Sequence, residues 1–142
     1  MMSRPALILD TNVLVSGLLN PAGAPADVLR LVLAGHVRLA HDARIVAEYE
    51  AVLHRPRLRL DPALTAILLR GLTAEGVIVA GVPLRHRLPD RDDEPFLEVC
   101  LAAGPGAALL TGNLRHYPEP ARAGAVVLGP REWLERWRQG KA

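Results

Sequence analysis

The chain has 142 residues, of which 50% are hydrophobic, and its 17 lysines plus arginines against 15 aspartates plus glutamates give a formal net charge of +2. That length suits one domain, 1–142, with one core, and so mild a basic excess permits a nucleic-acid partner without demanding one. The only lysine is Lys141, so there is neither a P-loop lysine nor Schiff-base chemistry, and the single cysteine, Cys100, can form no internal disulfide, which fits a reducing compartment.

The first apolar run, Ala6 to Leu9, reads as a short buried strand that ends on Asp10. A turn region, "NPAGAP", leads to a helix with Pro25 at its start, carrying Val28, Leu29, Leu31 and Val32 and stopped by Gly35. "HVRLA" (36–40) is a second strand. Asp42 caps a helix over "DARIVAEYEAVL", whose apolar stripe is Ile45, Val46, Tyr49, Val52 and Leu53. Asp61 and Pro62 open the next helix, "DPALTAILLRGL". "GVIVAG" (76–81) is a strand between glycines, and the polar, proline-rich "VPLRHRLPDRDDEP" (82–95) is a loop. A helix over "EPFLEVCLAAG" closes at Gly104. Two further strands, "AALLT" (107–111) and "AVVLG" (125–129), precede a last helix over "PREWLERW", on which Trp133 and Trp137 pack against the sheet or a partner.

Short apolar strands alternating with helical segments indicate an α/β fold with a parallel sheet covered by helices on both faces. In such open sheets sites lie beyond the carboxyl ends of the strands. Asp10 ends the first strand, Thr111 with Gly112 and Asn113 ends another, and Asp90, Asp92 and Asp93 precede the helix that feeds it. The amino terminus has no leader pattern and no apolar run approaches the roughly 18 residues of a membrane span, so the expectation is a soluble, cytoplasmic protein with no membrane partner.

An ionised Asp10 at the lip of a buried strand is costly unless something pairs with it. Each acidic residue also has a plainer reading. Asp10 can make an Asx-turn to the backbone two residues on. Asp92 or Asp93 can cap the helix beginning near Glu94, and Asp90 can shape the loop. Glu48 and Glu50 flank the apolar stripe of their helix about equally, and periodicity does not choose between them. Asn12 and Thr111 serve either as turn residues or as groups that orient the carboxylates.

The segments "LILDTNVLVSGLL", "ARIVAEYEAVLHRP", "LPDRDDEPFLEVCLAAG" and "ALLTGNLRHYP", in this order, resemble the PIN domain family, and more closely its bacterial members that are VapC-like toxin components of toxin–antitoxin pairs. The resemblance runs from about residue 6 to the last helix. It implies a three-layer fold with a five-stranded parallel sheet and a metal-dependent endoribonuclease acting on single-stranded RNA. It further implies Asp10, Glu48 and Asp93 as the catalytic acidic site, with Asp90 beside them as a metal ligand, and a cognate antitoxin and a homodimer as partners. The fourth acidic position of the pattern falls on Asn113, where the commoner residue is aspartate; its amide would orient a metal-bound water rather than add charge.

The chemistry explains why carboxylates would gather. A phosphodiester is anionic, and carboxylates alone would repel it. A cluster of them binds Mg²⁺ or Mn²⁺, hard ions that prefer oxygen ligands, and the ion activates water and stabilises the attacking and leaving oxygens. Arg55, Arg57 and Arg59, then Arg85, Arg87 and Arg91, are either a solvated charged face or a phosphate track, since guanidinium forks suit phosphate. Arg55, Arg57, Arg91 and Arg115 are the RNA-binding candidates. Aromatics are only 4% of the chain, so base-stacking platforms are not expected. The five histidines show no metal-ligand spacing and read mostly as surface residues, with His116 near enough to the Asn113 turn to approach phosphate.

Two other functions fit parts of this pattern. Phosphohydrolase and phosphoacceptor domains also begin with a strand ending in aspartate, but haloacid-dehalogenase-like enzymes want an acid where Asn12 stands, and both classes want a lysine at a later strand end. A catalytically weakened PIN-fold module that binds RNA or a protein without cleavage is the alternative that Asn113 keeps open.

Overall fold

The computed structural model describes residues 4–142. Five strands, β1 (Ala6–Leu9), β2 (Arg38–His41), β3 (Val77–Ile78), β4 (Ala108–Leu110) and β5 (Val126–Leu128), form a parallel sheet in the order β3-β2-β1-β4-β5. Six helices flank it: α1 (Thr11–Leu19), α2 (Ala24–Leu33), α3 (Ala43–Leu53), α4 (Pro62–Thr73), α5 (Glu94–Ala103) and α6 (Pro130–Arg138). β1 lies at the centre, with Leu7 opposite Leu39 on one side and Ile8 opposite Leu109 on the other. Its residues Leu7, Ile8 and Leu9 are at most 1% exposed, so both faces of the strand are covered. Burying each such side chain contributes about 1.5–3 kcal/mol, which is why the strand tolerates no polar residue before Asp10.

The topology positions the site. From β1 the chain moves outward through β2 to β3, then returns across β1 to β4 and β5. The direction of winding therefore reverses between β1 and β4, which opens a crevice beyond their carboxyl ends. Asp10 follows β1 and Thr111 follows β4 at that crevice.

The helix caps follow from local chemistry. Asp42 accepts from the Ile45 amide at 3.0 Å and Asp61 from the Ala63 amide at 2.9 Å. Gly104 ends α5 with a φ of +97°, a conformation glycine adopts without strain.

Three expectations need correction. The stretch after Asp10 is not merely a turn but helix α1, which the sequence reading omits. Strand β3 spans only Val77–Ile78 rather than 76–81, and Ile78 is 80% exposed at the sheet edge. The second strand is displaced to Arg38–His41, which makes His41 a buried residue rather than a surface one.

Candidate active site

Asp10 stands at the N-cap position of α1, yet its side chain makes no cap hydrogen bond. The Asx-turn reading therefore fails. Instead Oδ2 accepts from Thr111 Oγ1 at 2.9 Å and from the Tyr117 hydroxyl at 3.0 Å, and the residue is 5% exposed. Thr111 Oγ1 in turn accepts from the Asn113 amide at 3.0 Å. Two neutral donors hold the Asp10 carboxylate without neutralising it.

Glu48 is half-buried on α3 and accepts from Thr11 Oγ1, so it faces the first turn of α1. Glu50 is exposed and borders a different hollow with His54 and Arg70. Glu48, and not Glu50, lines the acidic pocket. The next residue, Tyr49, is fully buried and donates to the Leu9 carbonyl at 2.5 Å, which fixes α3 against the end of β1.

Asp93 is buried at the start of α5 without capping it by a side-chain bond. Its buried Oδ2 lies 3.0 Å from His116 Nδ1 and makes no other polar contact. Asn113 Nδ2 donates to His116 Nε2 at 2.8 Å, which puts the ring proton on Nδ1, facing Asp93. Asp90 accepts from the Asp92 amide at 2.9 Å, shaping the 3₁₀ turn Arg91–Asp93, and also lines the acidic pocket. Glu94, which the sequence reading did not single out, is buried and ties down the preceding loop, accepting from the Leu88 amide at 3.0 Å and from Arg87 at 3.0 Å. The Leu88 amide is the main cause that holds its carboxyl below the ordinary glutamate range.

A pocket of about 440 Å³ is lined by Glu48, Asp90, Asp92 and Asp93, by Asn12 and Ser16 of α1, and by Arg55 and Arg57. Burial, then the charges of Asp10 and Asp92, push the Glu48 carboxyl upward against the Thr11 bond. Burial and the Asp10 and Asp90 charges push Asp93 up to about 6, with His116 opposing. Burial is the largest cause of both shifts and the neighbouring carboxylates add to it, while Arg55 opposes the shift on Glu48 and His116 that on Asp93.

That donor set fits a hard divalent cation: oxygen ligands, surplus negative charge and a buried Asp93 oxygen whose one polar neighbour is His116. As placed, no three His, Cys, Asp or Glu side chains among the described residues close around one ion.

The remaining sequence candidates separate. Asn12 is exposed on the first turn of α1, and its Oδ1 accepts from the Gly112 amide at 2.8 Å, joining the ends of β1 and β4. Asn113 does not line the acidic pocket and reaches it only through His116; it borders a neighbouring cleft with Arg115. Arg91 is exposed and acts on Glu94 rather than lining the acidic pocket. Tyr117, a donor to Asp10, was missed by sequence reasoning, and only the apolar-aromatic spacing after "LLTGN" could have hinted at it.

The open five-stranded parallel sheet flanked by helices, with acidic residues beyond its switch point, defines an α/β fold. A family model described as PIN domain matches residues 6–115, and the chain belongs to the PIN domain family. No curated protein matches the sequence. Among solved structures, the chain is similar to VapBC2 from Rickettsia felis, solved bound to a DNA fragment from their promoter, with 14% identity, 86% of this chain and 96% of that chain covered, and a TM-score of 0.58. It is also similar to FitAcB from Neisseria gonorrhoeae, with 19% identity, 88% and 98% covered, and a TM-score of 0.54.

Proposed function

We propose that this chain is a metal-dependent endoribonuclease that hydrolyses phosphodiester bonds of single-stranded RNA. PIN domains are generally nucleases, and the observation that carries the finer reading is the mutual influence of Asp10, Glu48 and Asp93 beyond the ends of β1 and β4, none of them in an ion pair with an arginine among the described residues. Asp10, Glu48 and Asp93 would hold Mg²⁺ or Mn²⁺, with Asp90 at the margin. The ion, when bound, supplies an activated water and stabilises charge on the reacting phosphate.

The chain's own residues set up that site. Thr111 and Tyr117 both donate to Asp10 Oδ2, which fixes the carboxylate plane and leaves Oδ1 for a cation. Thr11 steadies Glu48 at the opposite wall. His116 holds a proton at Nδ1 beside Asp93 and, on losing that contact, can turn toward the substrate phosphate. Arg55 and Arg57 at the pocket rim suit the phosphate oxygens of an incoming strand.

The further step, that the protein is the toxin component of a pair with a cognate antitoxin, is supported by its likeness to VapBC2 and FitAcB. The binding-only alternative rests on the amide of Asn113, which stands where the family resemblance implies an acid. A cleavage assay separates them. Wild type should cut single-stranded RNA with Mn²⁺ and not with a chelator. Asp10→Asn should lose more than about a hundredfold in rate, beyond the loss typical of removing a group that merely orients a ligand. Expression in cells should arrest growth with wild type and not with Asp10→Asn. RNA binding without cleavage by wild type would favour the alternative.

A further inference from the structure

Beside the acidic pocket lies a second, larger cleft, of about 760 Å³, between α1, the start of α2, the turn after β4 and the start of α6. Unlike its neighbour, it holds arginines without carboxylates. No aspartate or glutamate lines it, whereas Arg115 and Arg131 do, and neither arginine has a carboxylate partner among the described residues. Both are exposed at its walls. By contrast Arg30, on α2, pairs with Asp27 at 2.8 Å, and Arg136, on α6, pairs with Glu132 at 3.2 Å.

The two hollows share a wall. Asn12 and Ser16, on one face of α1, line both of them. Asn12 is held there by its bond to the Gly112 amide, so the ridge between the hollows is a fixed polar saddle and not an apolar barrier. A strand whose reacting phosphate sits over the carboxylates can cross this saddle and present its next phosphates to two unpaired guanidinium groups. The remaining polar side chains of the cleft, such as Asn20, suit sugar hydroxyls and phosphate oxygens, and no aromatic ring is available to stack bases.

We infer that the Arg115–Arg131 cleft is a backbone-binding subsite, which holds the sugar–phosphate chain of single-stranded RNA on one side of the scissile bond. It rests on the nuclease reading for its substrate, and it goes further in assigning a separate site with its own residues. The cleft reads backbone and not sequence, so it lengthens the bound strand without restricting its bases.

The test is equilibrium binding of a fluorescent single-stranded RNA 12-mer by anisotropy, in chelator, so that neither metal nor cleavage enters. The double variant Arg115→Ala/Arg131→Ala should bind roughly tenfold or more weakly than wild type. The slope of log affinity against log salt should fall by about 1.4, since each phosphate contact on a single strand contributes roughly 0.7. Arg70→Ala, an exposed arginine on α4 away from both hollows, removes a charge of the same kind and should change neither quantity beyond a small uniform loss. A double variant that behaves like Arg70→Ala, or a wild type that does not bind the 12-mer, overturns the inference. Failure of the nuclease reading has a different signature, intact RNA after incubation with Mn²⁺ whatever the binding data give. Unchanged melting of the surface variants confirms that folding is not the cause.

Discussion

Asp10 is an anion placed where only neutral donors reach it, and its behaviour should follow from that. Thr111→Val and Tyr117→Phe each remove one donor to Oδ2 without touching the oxygen a cation would take. Each should weaken Mn²⁺ binding about ten- to a hundredfold, measured by calorimetric titration, because an unoriented ligand must be ordered at the moment of binding. Asp93 gives a pH signature. Its folded value, about 6, lies above the ordinary 3.8, so the fold favours the protonated acid. The associated stability is full below about 3.8 and is lost as pH rises through about 6. Without metal, Asp93→Asn should therefore gain stability relative to wild type across that window, read as a difference in Tm that widens from pH 4 to pH 7. Saturating Mn²⁺ should close the gap at pH 7 by stabilising only the wild type. A difference that is flat with pH would mean that Asp93 is not crowded by the charges around it.

The secondary structure that carries these residues is held by bonds that cross long stretches of sequence. Tyr49 on α3 donates to the Leu9 carbonyl of β1, and both groups are out of water. Tyr49→Phe leaves that carbonyl without its partner and should cost about 1–3 kcal/mol in urea unfolding, with Glu48 displaced enough to lower activity as well. Close packing of α1 on α2 is equally specific: a Cβ on Gly17 would stand 2.6 Å from Leu29 Cδ1. What could be read from the sequence follows the same division. The capped helices α3 and α4 were legible because Asp42 and Asp61 cap them with their own side chains. Helix α1 was not, because the carboxylate at its N-cap is turned away to Thr111 and Tyr117, so the residue announces a site and not a helix start. Strand β3 looked longer because "GVIVAG" is apolar, but at the sheet edge only Val77 and Ile78 are paired. The acidic residues were visible as residues; their partners were not, since Tyr117 lies 107 positions from Asp10.

Taken together, the order β3-β2-β1-β4-β5 brings residues from four separate parts of the chain to one crevice, and charge is sorted across it. Carboxylates line only one side of the α1 saddle, with Arg55 and Arg57 at their rim, and the other side holds Arg115 and Arg131 with no carboxylate. No helix among the described residues is long and apolar enough to cross a membrane. Leu64 and Ile67 on α4 are more than half exposed, an apolar spot on the helix surface. The account stands or falls on the cation. Crystals soaked in Mn²⁺ and measured at the manganese absorption edge test it most directly. The account predicts an anomalous peak in contact with carboxylate oxygens of Asp10, Glu48 and Asp93, absent in Asp10→Asn crystals. A peak elsewhere on the surface, or none beside Asp10 in a protein that still cleaves RNA, would contradict it.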